Sequence, residues 1–364
     1  MDFSLKILKA IKSEESIVYS PFSILNNLAI IYAGSDGKTA DQLSQFLGKS
    51  KDDTIQYYYD LIKYIKNIND DNVQLLSSDC LFVSSEPILP SFKEIMVKFD
   101  VKLKCLNFKE APNSAKEINQ FISQNTHGRI QNIVADIDIT EDANLFVVNA
   151  LYFSGQWETP FNEMKSTFRE KEEAQMLYRT VRDEGWNLVE SETWQCLGIP
   201  FKNRKFWLHI LLPKKEYNLS DLIPIVDEKL LMQCVSKKEV TKVEVFFPKF
   251  LLETKIPLDA ILKKAGLTEI FEFGSIRKIF ADPHNIDTAI HFTKFEINKH
   301  GAEAASASVI RVVPVCAYVE SDMKYFYATD PFIYFITLTE DGPSDVKTVL
   351  LMGQYWGPNS TKYI

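Results

Sequence analysis

The residues best suited to metal binding, nucleophilic attack or proton transfer are few and scattered. Five cysteines (Cys80, Cys105, Cys196, Cys234 and Cys316) are odd in number, widely spaced and free of any C-x-x-C pair. That is neither a disulfide framework nor a zinc site. They read instead as free thiols, mostly buried as small hydrophobes. The five histidines, His127, His209, His284, His291 and His300, have no partner at metal-ligand spacing. No glycine-rich phosphate loop, nucleophile elbow or paired-histidine zinc motif occurs. The carboxylates are abundant, but no pair stands out from a solvated surface. No metal and no cofactor is expected. Catalytic residues can be scattered, so an enzyme is not excluded on this ground alone.

One stretch has a spacing of its own. Residues 301–316 read Gly-Ala-Glu-Ala-Ala-Ser-Ala-Ser-Val-Ile-Arg-Val-Val-Pro-Val-Cys. Positions 302, 304, 306, 308, 310 and 312 are Ala, Ala, Ser, Ser, Ile and Val, while both charges, Glu303 and Arg311, fall on the other parity. Successive side chains of a strand point to opposite faces. As a strand, one face is therefore small enough to slide over a core, and the other keeps its charges in water. A slip of one residue would bury Glu303 and Arg311. Residues 302–313 would span about 40 Å when extended. Pro314, which cannot donate to a ladder, lies just beyond.

The rest of the chain must position this stretch. Helical periodicity dominates the first 135 residues. Ser20-Pro21 opens a helix over 23–32 that Gly34 and Gly37 end. A capping box at Thr39-Ala-Asp-Gln42 opens a second toward Leu47, with Gly48 as its stop. Residues 54–66, 114–125 and 257–265 read as further helices. Strands are expected at 145–153, a continuous apolar run buried on both faces, and at 205–212, 242–247, 332–338 and 348–352. With 364 residues, 46% hydrophobic and 25% charged, and no linker or repeat, the chain reads as one large α+β domain over 1–364. A net charge of −8 argues against nucleic acid as a partner. No apolar run approaches the roughly 20 residues of a membrane span. The first 16 residues do not look like a signal peptide. The compartment stays open: extracellular if a leader has been removed, otherwise cytoplasmic.

Ordered motifs along the chain resemble those of the serpins, the large shape-changing family of serine-protease inhibitors. Ile17-Val-Tyr-Ser-Pro-Phe-Ser-Ile24, Tyr32-Ala-Gly-Ser-Asp-Gly-Lys-Thr-Ala-Asp-Gln-Leu43, and Ile118-Asn119 with Thr126-His-Gly-Arg-Ile130 each resemble a serpin motif. Asn149-Ala-Leu-Tyr-Phe-Ser-Gly-Gln-Trp-Glu-Thr-Pro-Phe161 is the most specific of them. Phe247-Pro-Lys-Phe250, Gly266-Leu267, Asp330-Pro-Phe332 and Leu351-Met-Gly353 follow in the family's order.

The resemblance implies three β-sheets, eight or nine helices and an exposed reactive-centre loop, here about 301–325. It also implies a suicide-substrate mechanism. A protease cleaves the loop, which inserts into the large sheet before the acyl-enzyme hydrolyses, and the enzyme is trapped covalently. The chain itself would be no enzyme. Inhibitors resemble G-T-E-A-A-A-A-T at the hinge, where this chain has Gly301, Ala302, Glu303, Ala304, Ala305, Ser306, Ala307 and Ser308. Every inward hinge position is small, so the inhibitory type is expected. The alternative is a non-inhibitory serpin acting as a binding or chaperone module. Ser20, Ser23, Asn149 and His291 match the gate beneath the central strands, and Trp157 matches the tryptophan below the insertion point. One departure is Lys299, two residues before the hinge glycine, where the family has an acid expected to pair with a base at the top of the sheet. Either an acidic partner compensates, or the top of the sheet opens more easily.

Counting along the loop as in typical inhibitors puts the scissile bond at Val315–Cys316. The small aliphatic Val-Val-Pro-Val run suits an elastase-like serine protease. A shifted register would offer Tyr318 to a chymotrypsin-like enzyme, the second choice, and Arg311 or Lys324 to a trypsin-like one, the third. Heparin binding is not expected, because Lys49, Lys51, Lys63 and Lys66 are interspersed with Asp52, Asp53 and Asp60. The resemblance further implies a monomer.

Overall fold

The computed structural model describes residues 2–11, 14–84, 88–143, 145–280, 282–302 and 322–359. Among these are nine α-helices: α1 (Asp2–Ala10), α2 (Pro21–Ala33), α3 (Gly37–Leu47), α4 (Lys51–Ile68), α5 (Pro90–Phe99), α6 (Ala111–Asn125), α7 (Leu219–Ile225), α8 (Glu228–Cys234) and α9 (Leu258–Lys264). No described helix is long and apolar enough to cross a membrane.

A six-stranded sheet carries the functional region. Its order is β10 (Phe250–Pro257), β11 (Thr288–Ile297), β4 (Leu145–Gln156), β2 (Val73–Val83) and β3 (Lys102–Cys105), with a two-residue strand β12 (Gly301–Ala302) on the end of β4. β11 and β4 run parallel over eight residue pairs, from Thr288 opposite Phe146 to Phe295 opposite Phe153. The other sheet has nine strands. Its path is β1 (Ile17–Tyr19), β15 (Val346–Tyr355), β14 (Phe332–Thr339), β8 (Phe206–Pro213), β7 (Trp194–Pro200), β6 (Glu172–Glu190), β9 (Glu239–Pro248) and β13 (Lys324–Tyr327), with β5 (Asn162–Phe168) beside β6. The second and third of the three expected sheets are thus continuous through β6. Its first part pairs with β5 and its last residues with β7. An irregularity between Arg182 and Trp186 separates the halves, where Asp183 (φ 52°) and Gly185 (φ 67°) turn the backbone.

Strand β4 explains why residues 145–153 are apolar but for Asn149. Leu145, Val147, Leu151 and Phe153 enter the main core, which extends to the nine-stranded sheet. Phe146, Val148, Ala150 and Tyr152 face a second core with Ile118, Phe121 and Ile122 of α6. A strand covered on both faces has no solvated side to mark with polar residues.

Ser20 caps α2 as expected, its side chain accepting from the Ser23 N–H, and Gly34 ends the helix. The capping box expected at Thr39 to Gln42 does not form. α3 starts earlier, at Gly37, and Thr39 is buried. Gln42 serves another element: its Oε1 accepts from the N–H groups of Thr268 and Glu269 at 3.0 and 2.9 Å. α4 also starts before the expected residue 54, because Ser50 caps it by accepting from the Asp53 N–H at 3.2 Å.

Candidate functional site

Register alone aligns the gate. Asp79 on β2 lies opposite Asn149 on β4, which lies opposite His291 on β11. Directly opposed residues share a face, so the three side chains form one row across the sheet. Asn149 Nδ2 donates to Asp79 Oδ1. Asn149 Oδ1 faces His291 Nδ1 at 2.6 Å. An amide oxygen only accepts, so Nδ1 carries the imidazole proton. Nε2 is then free to accept from the Ser20 N–H at 2.9 Å and from Thr293 Oγ1 at 2.8 Å. Complete burial of the ring lowers its pKa to about 3, and a second ring proton would have to meet the Ser20 N–H. At the other end of the row, desolvation raises the carboxyl pKa of Asp79 to about 6, against the lowering effect of the Asn149 hydrogen bond.

Behind the row, Ser20 Oγ donates to Leu350 O of β15 at 2.6 Å and accepts from the Ser23 N–H at 3.1 Å. The gate is thereby tied to the nine-stranded sheet. Ser23 takes part only through its backbone, since its buried hydroxyl has no hydrogen-bond partner among the described residues.

The hinge begins at the top of the same strands. After β11 the chain turns back on itself, with Asn298 and Gly301 exchanging backbone hydrogen bonds at 2.8 and 3.2 Å. Gly301 and Ala302 then pair antiparallel with Gln156 and Gly155 of β4. Gly301 has φ +146°, and a Cβ there would lie 1.9 Å from the Gly155 carbonyl oxygen. Only glycine fits this approach. Ala302 is fully buried, and its carbonyl accepts from Ser154 Oγ at 3.0 Å. Trp157 holds the turn from below: its indole Nε1 donates to Asn298 O and its backbone N–H to His300 O, both at 2.9 Å. The Trp157 ring stacks on Phe201, with centroids 4.6 Å apart.

Of the expected site residues, Ser20, Ser23, Asn149, His291, Trp157, Gly301 and Ala302 converge on these two clusters. Glu303, Ala304, Ala305, Ser306, Ala307, Ser308, Arg311, Val315, Cys316 and Tyr318 lie outside the described residues. Lys324 does not belong to a free loop. It starts β13, pairs with Val243, and makes an ion pair with Glu190 at 2.8 Å. Lys299 has no ion pair among the described residues. The base at the head of β10, Lys249, pairs instead with Glu163 on β5 at 3.4 Å. Three of the four lysines weighed for heparin are engaged locally. Lys49 lies 3.9 Å over the Tyr57 ring, Lys51 donates to Ser35 O and Lys66 pairs with Asp100.

Asp79 and Thr293 join this hydrogen-bonded row, and sequence reasoning missed them. An aspartate inside the strand-like run Leu75–Val83 was the available signal, because Asp is depleted in strands. Among the described residues, no group of three or more His, Cys, Asp or Glu side chains is placed to hold a metal ion.

The site is thus a mixed sheet with a parallel central pair, topped by a glycine-led stub that pairs antiparallel with one of the two strands. The chain belongs to the serpin family: the family model described as serpin (serine protease inhibitor) matches residues 1–358. Its relatives are named as serpins, which are not themselves enzymes. Human Serpin B9 is 29% identical over 97% of this chain and 96% of its own length. Antichymotrypsin-2 of Bombyx mori is 27% identical over 88% of each. Among solved structures, Serpin48 of Tenebrio molitor matches with a TM-score of 0.86 at 22% identity, over 98% of this chain and 96% of that one, a likeness of fold.

Proposed function

We propose that this serpin is inhibitory, a suicide substrate that traps a serine protease by inserting its cleaved loop between β4 and β11. The observation that carries the reading is the pairing at the hinge. β4 and β11 are parallel neighbours, yet Gly301 and Ala302 already run antiparallel to β4. A strand continuing from Ala302 would be antiparallel to both. Insertion would exchange one parallel pairing for two antiparallel ones, which are slightly more stable per residue.

The same register gives the inserted strand a definite end. With Ala302 opposite Gly155, each further residue moves one step back along β4, so Val312 would meet Leu145, the first residue of that strand. Pro314 would fall just past the ladder, where its missing N–H costs nothing. Ala304, Ser306, Ser308, Ile310 and Val312 would face the main core with Phe153, Leu151, Asn149, Val147 and Leu145. Ser308 would then enter the row between Asn149 and His291, with a hydroxyl able to accept from one and donate to the other. Glu303 and Arg311 would fall on the opposite face, which α6 covers over part of β4 and which is therefore not the open solvent that the alternation alone implied.

The scissile bond in this reading is Val315–Cys316, and the target an elastase-like protease. Tyr318 and Arg311 stand as second and third choices for chymotrypsin-like and trypsin-like enzymes. Lys324 is the weakest, being held in β13. The local engagement of Lys49, Lys51 and Lys66 favours no heparin site. The chain acts as a monomer.

The test is incubation with elastase, chymotrypsin and trypsin, followed by a denaturing gel. A covalent band near the summed mass supports trapping. Clipped product alone with every protease would make the chain a non-inhibitory serpin.

A further inference from the structure

The segment from Trp157 to Glu163, between β4 and the start of β5, grips the hinge turn. The Trp157 N–H and indole take His300 O and Asn298 O, and the Phe161 N–H takes Lys299 O at 2.8 Å. Three consecutive carbonyls just ahead of Gly301 are thus held by one short strap. The strap is itself held from outside by three cations on three other elements. Arg204, in the turn between β7 and β8, makes a bidentate pair with Glu158, Nε to Oε1 at 2.9 Å and Nη2 to Oε2 at 2.6 Å. Arg179 on β6 donates to the Pro160 carbonyl at 3.1 Å, and its other nitrogen pairs with Glu184. Lys249 pairs with Glu163. Arg204 also donates to the Glu184 carbonyl, joining the first two anchors. Its backbone is set for this by a φ of +53°.

We propose that Arg204, with Glu158, is a positioning pair that keeps the top of the central sheet closed through the strap, in place of the direct ion pair Lys299 cannot make. A carboxylate at 299 would tie the hinge turn straight to a base. Here the turn offers only backbone carbonyls, and the charge is placed one layer out, where a planar guanidinium can hold a carboxylate at two points. Breaking that pair removes the bidentate one of the strap's three outer anchors and so loosens the strap's hold on residues 298–300. The inference rests on the proposed insertion between β4 and β11, but it concerns the opening of the sheet and not the protease.

The experiment therefore reads opening without a protease. A fluorescent synthetic peptide with the sequence of residues 301–314 is incubated with full-length protein well below its melting temperature, and its uptake is followed by anisotropy. Arg204→Glu speeds uptake by about tenfold, the scale of a lost charge-assisted bidentate contact. Arg204→Lys lies between that variant and the parent. The double variant Glu158→Arg with Arg204→Glu returns uptake to within about twofold of the parent, which general destabilisation would not do. If Arg204→Glu does not fold, Glu158→Gln carries the same expectation. Unchanged uptake in a folded variant, failure of the swap to rescue, or no uptake by any form overturns the proposal. Failure of the inhibitory reading has a different signature: clipped product alone on the denaturing gel, whatever the peptide does.

Discussion

Asn149 Oδ1 and His291 Nδ1 meet at 2.6 Å across the two strands between which the loop is proposed to insert. The contact is buried, joins strands that are parallel neighbours, and continues on one side to Asp79 and on the other to Ser20. It is the polar rung that the proposed insertion would have to break.

Removing the middle of the row exposes its value. Asn149→Ala leaves the His291 N–H and the Asp79 carboxylate without their partner, and a buried unpaired group costs about 1–3 kcal/mol. Calorimetry should show a melting temperature several degrees below the parent. An unchanged value would mean that the row does not lock the sheet.

Asp79 gives the protein a pH term of definite sign. Its folded pKa of about 6 lies above the ordinary carboxylate value of 3.8, so its contribution to stability is fully present below the lower value and lost as pH rises through the upper one. His291 works in the opposite sense. Its folded pKa of about 3 lies below 6.5, so its contribution is present above 6.5 and lost as pH falls toward 3. Asp79→Asn isolates the first effect while keeping an acceptor for Asn149. The variant should melt above the parent at about pH 7.5, with the gap closing by about pH 4.5. A gap independent of pH would show that Asp79 is not the titrating group.

The hinge tolerates little. Gly301→Ala drives a Cβ into the Gly155 carbonyl and should detach β12 from β4. Ala302→Arg forces a charge into a fully buried position. On a denaturing gel with the target protease, both variants should give mostly clipped product where the parent gives complex. Undiminished complex from Ala302→Arg would mean the stub is not where insertion starts.

How much of this was legible follows from the physics of each part. β4 stood out because eight apolar residues in a run of nine, broken only by Asn149, read as a strand buried on both faces, and Ser20 announced α2 because capping is local. The hinge glycine was marked by sequence, but its reason was not: the Gly155 carbonyl that excludes a side chain is 146 residues away. Asp79 was missed for the same kind of reason. Its meaning comes from register with Asn149, and pairing between distant strands leaves no local trace. Arg204 and Glu158 looked like ordinary surface charges until the turn between β7 and β8 brought them together. The capping box at Thr39 failed because Gln42 found a better partner on another element.

Specificity tests the assignment of the bond. Val315→Arg should shift covalent trapping from an elastase-like enzyme toward trypsin, whose primary pocket takes a basic side chain. Mass spectrometry of the released C-terminal peptide should show cleavage after residue 315. An unchanged preference, or a cut after Tyr318, would move the bond.

The central claim is that the loop, once cut, becomes a strand between β4 and β11. Its most direct test is the melting temperature of protein nicked at the loop against that of intact protein under the same conditions. The account predicts that the nicked form melts well above the intact one, because it exchanges one parallel pairing for two antiparallel ones and buries the even-numbered residues 304–312. A nicked form that melts at or below the intact temperature would contradict it.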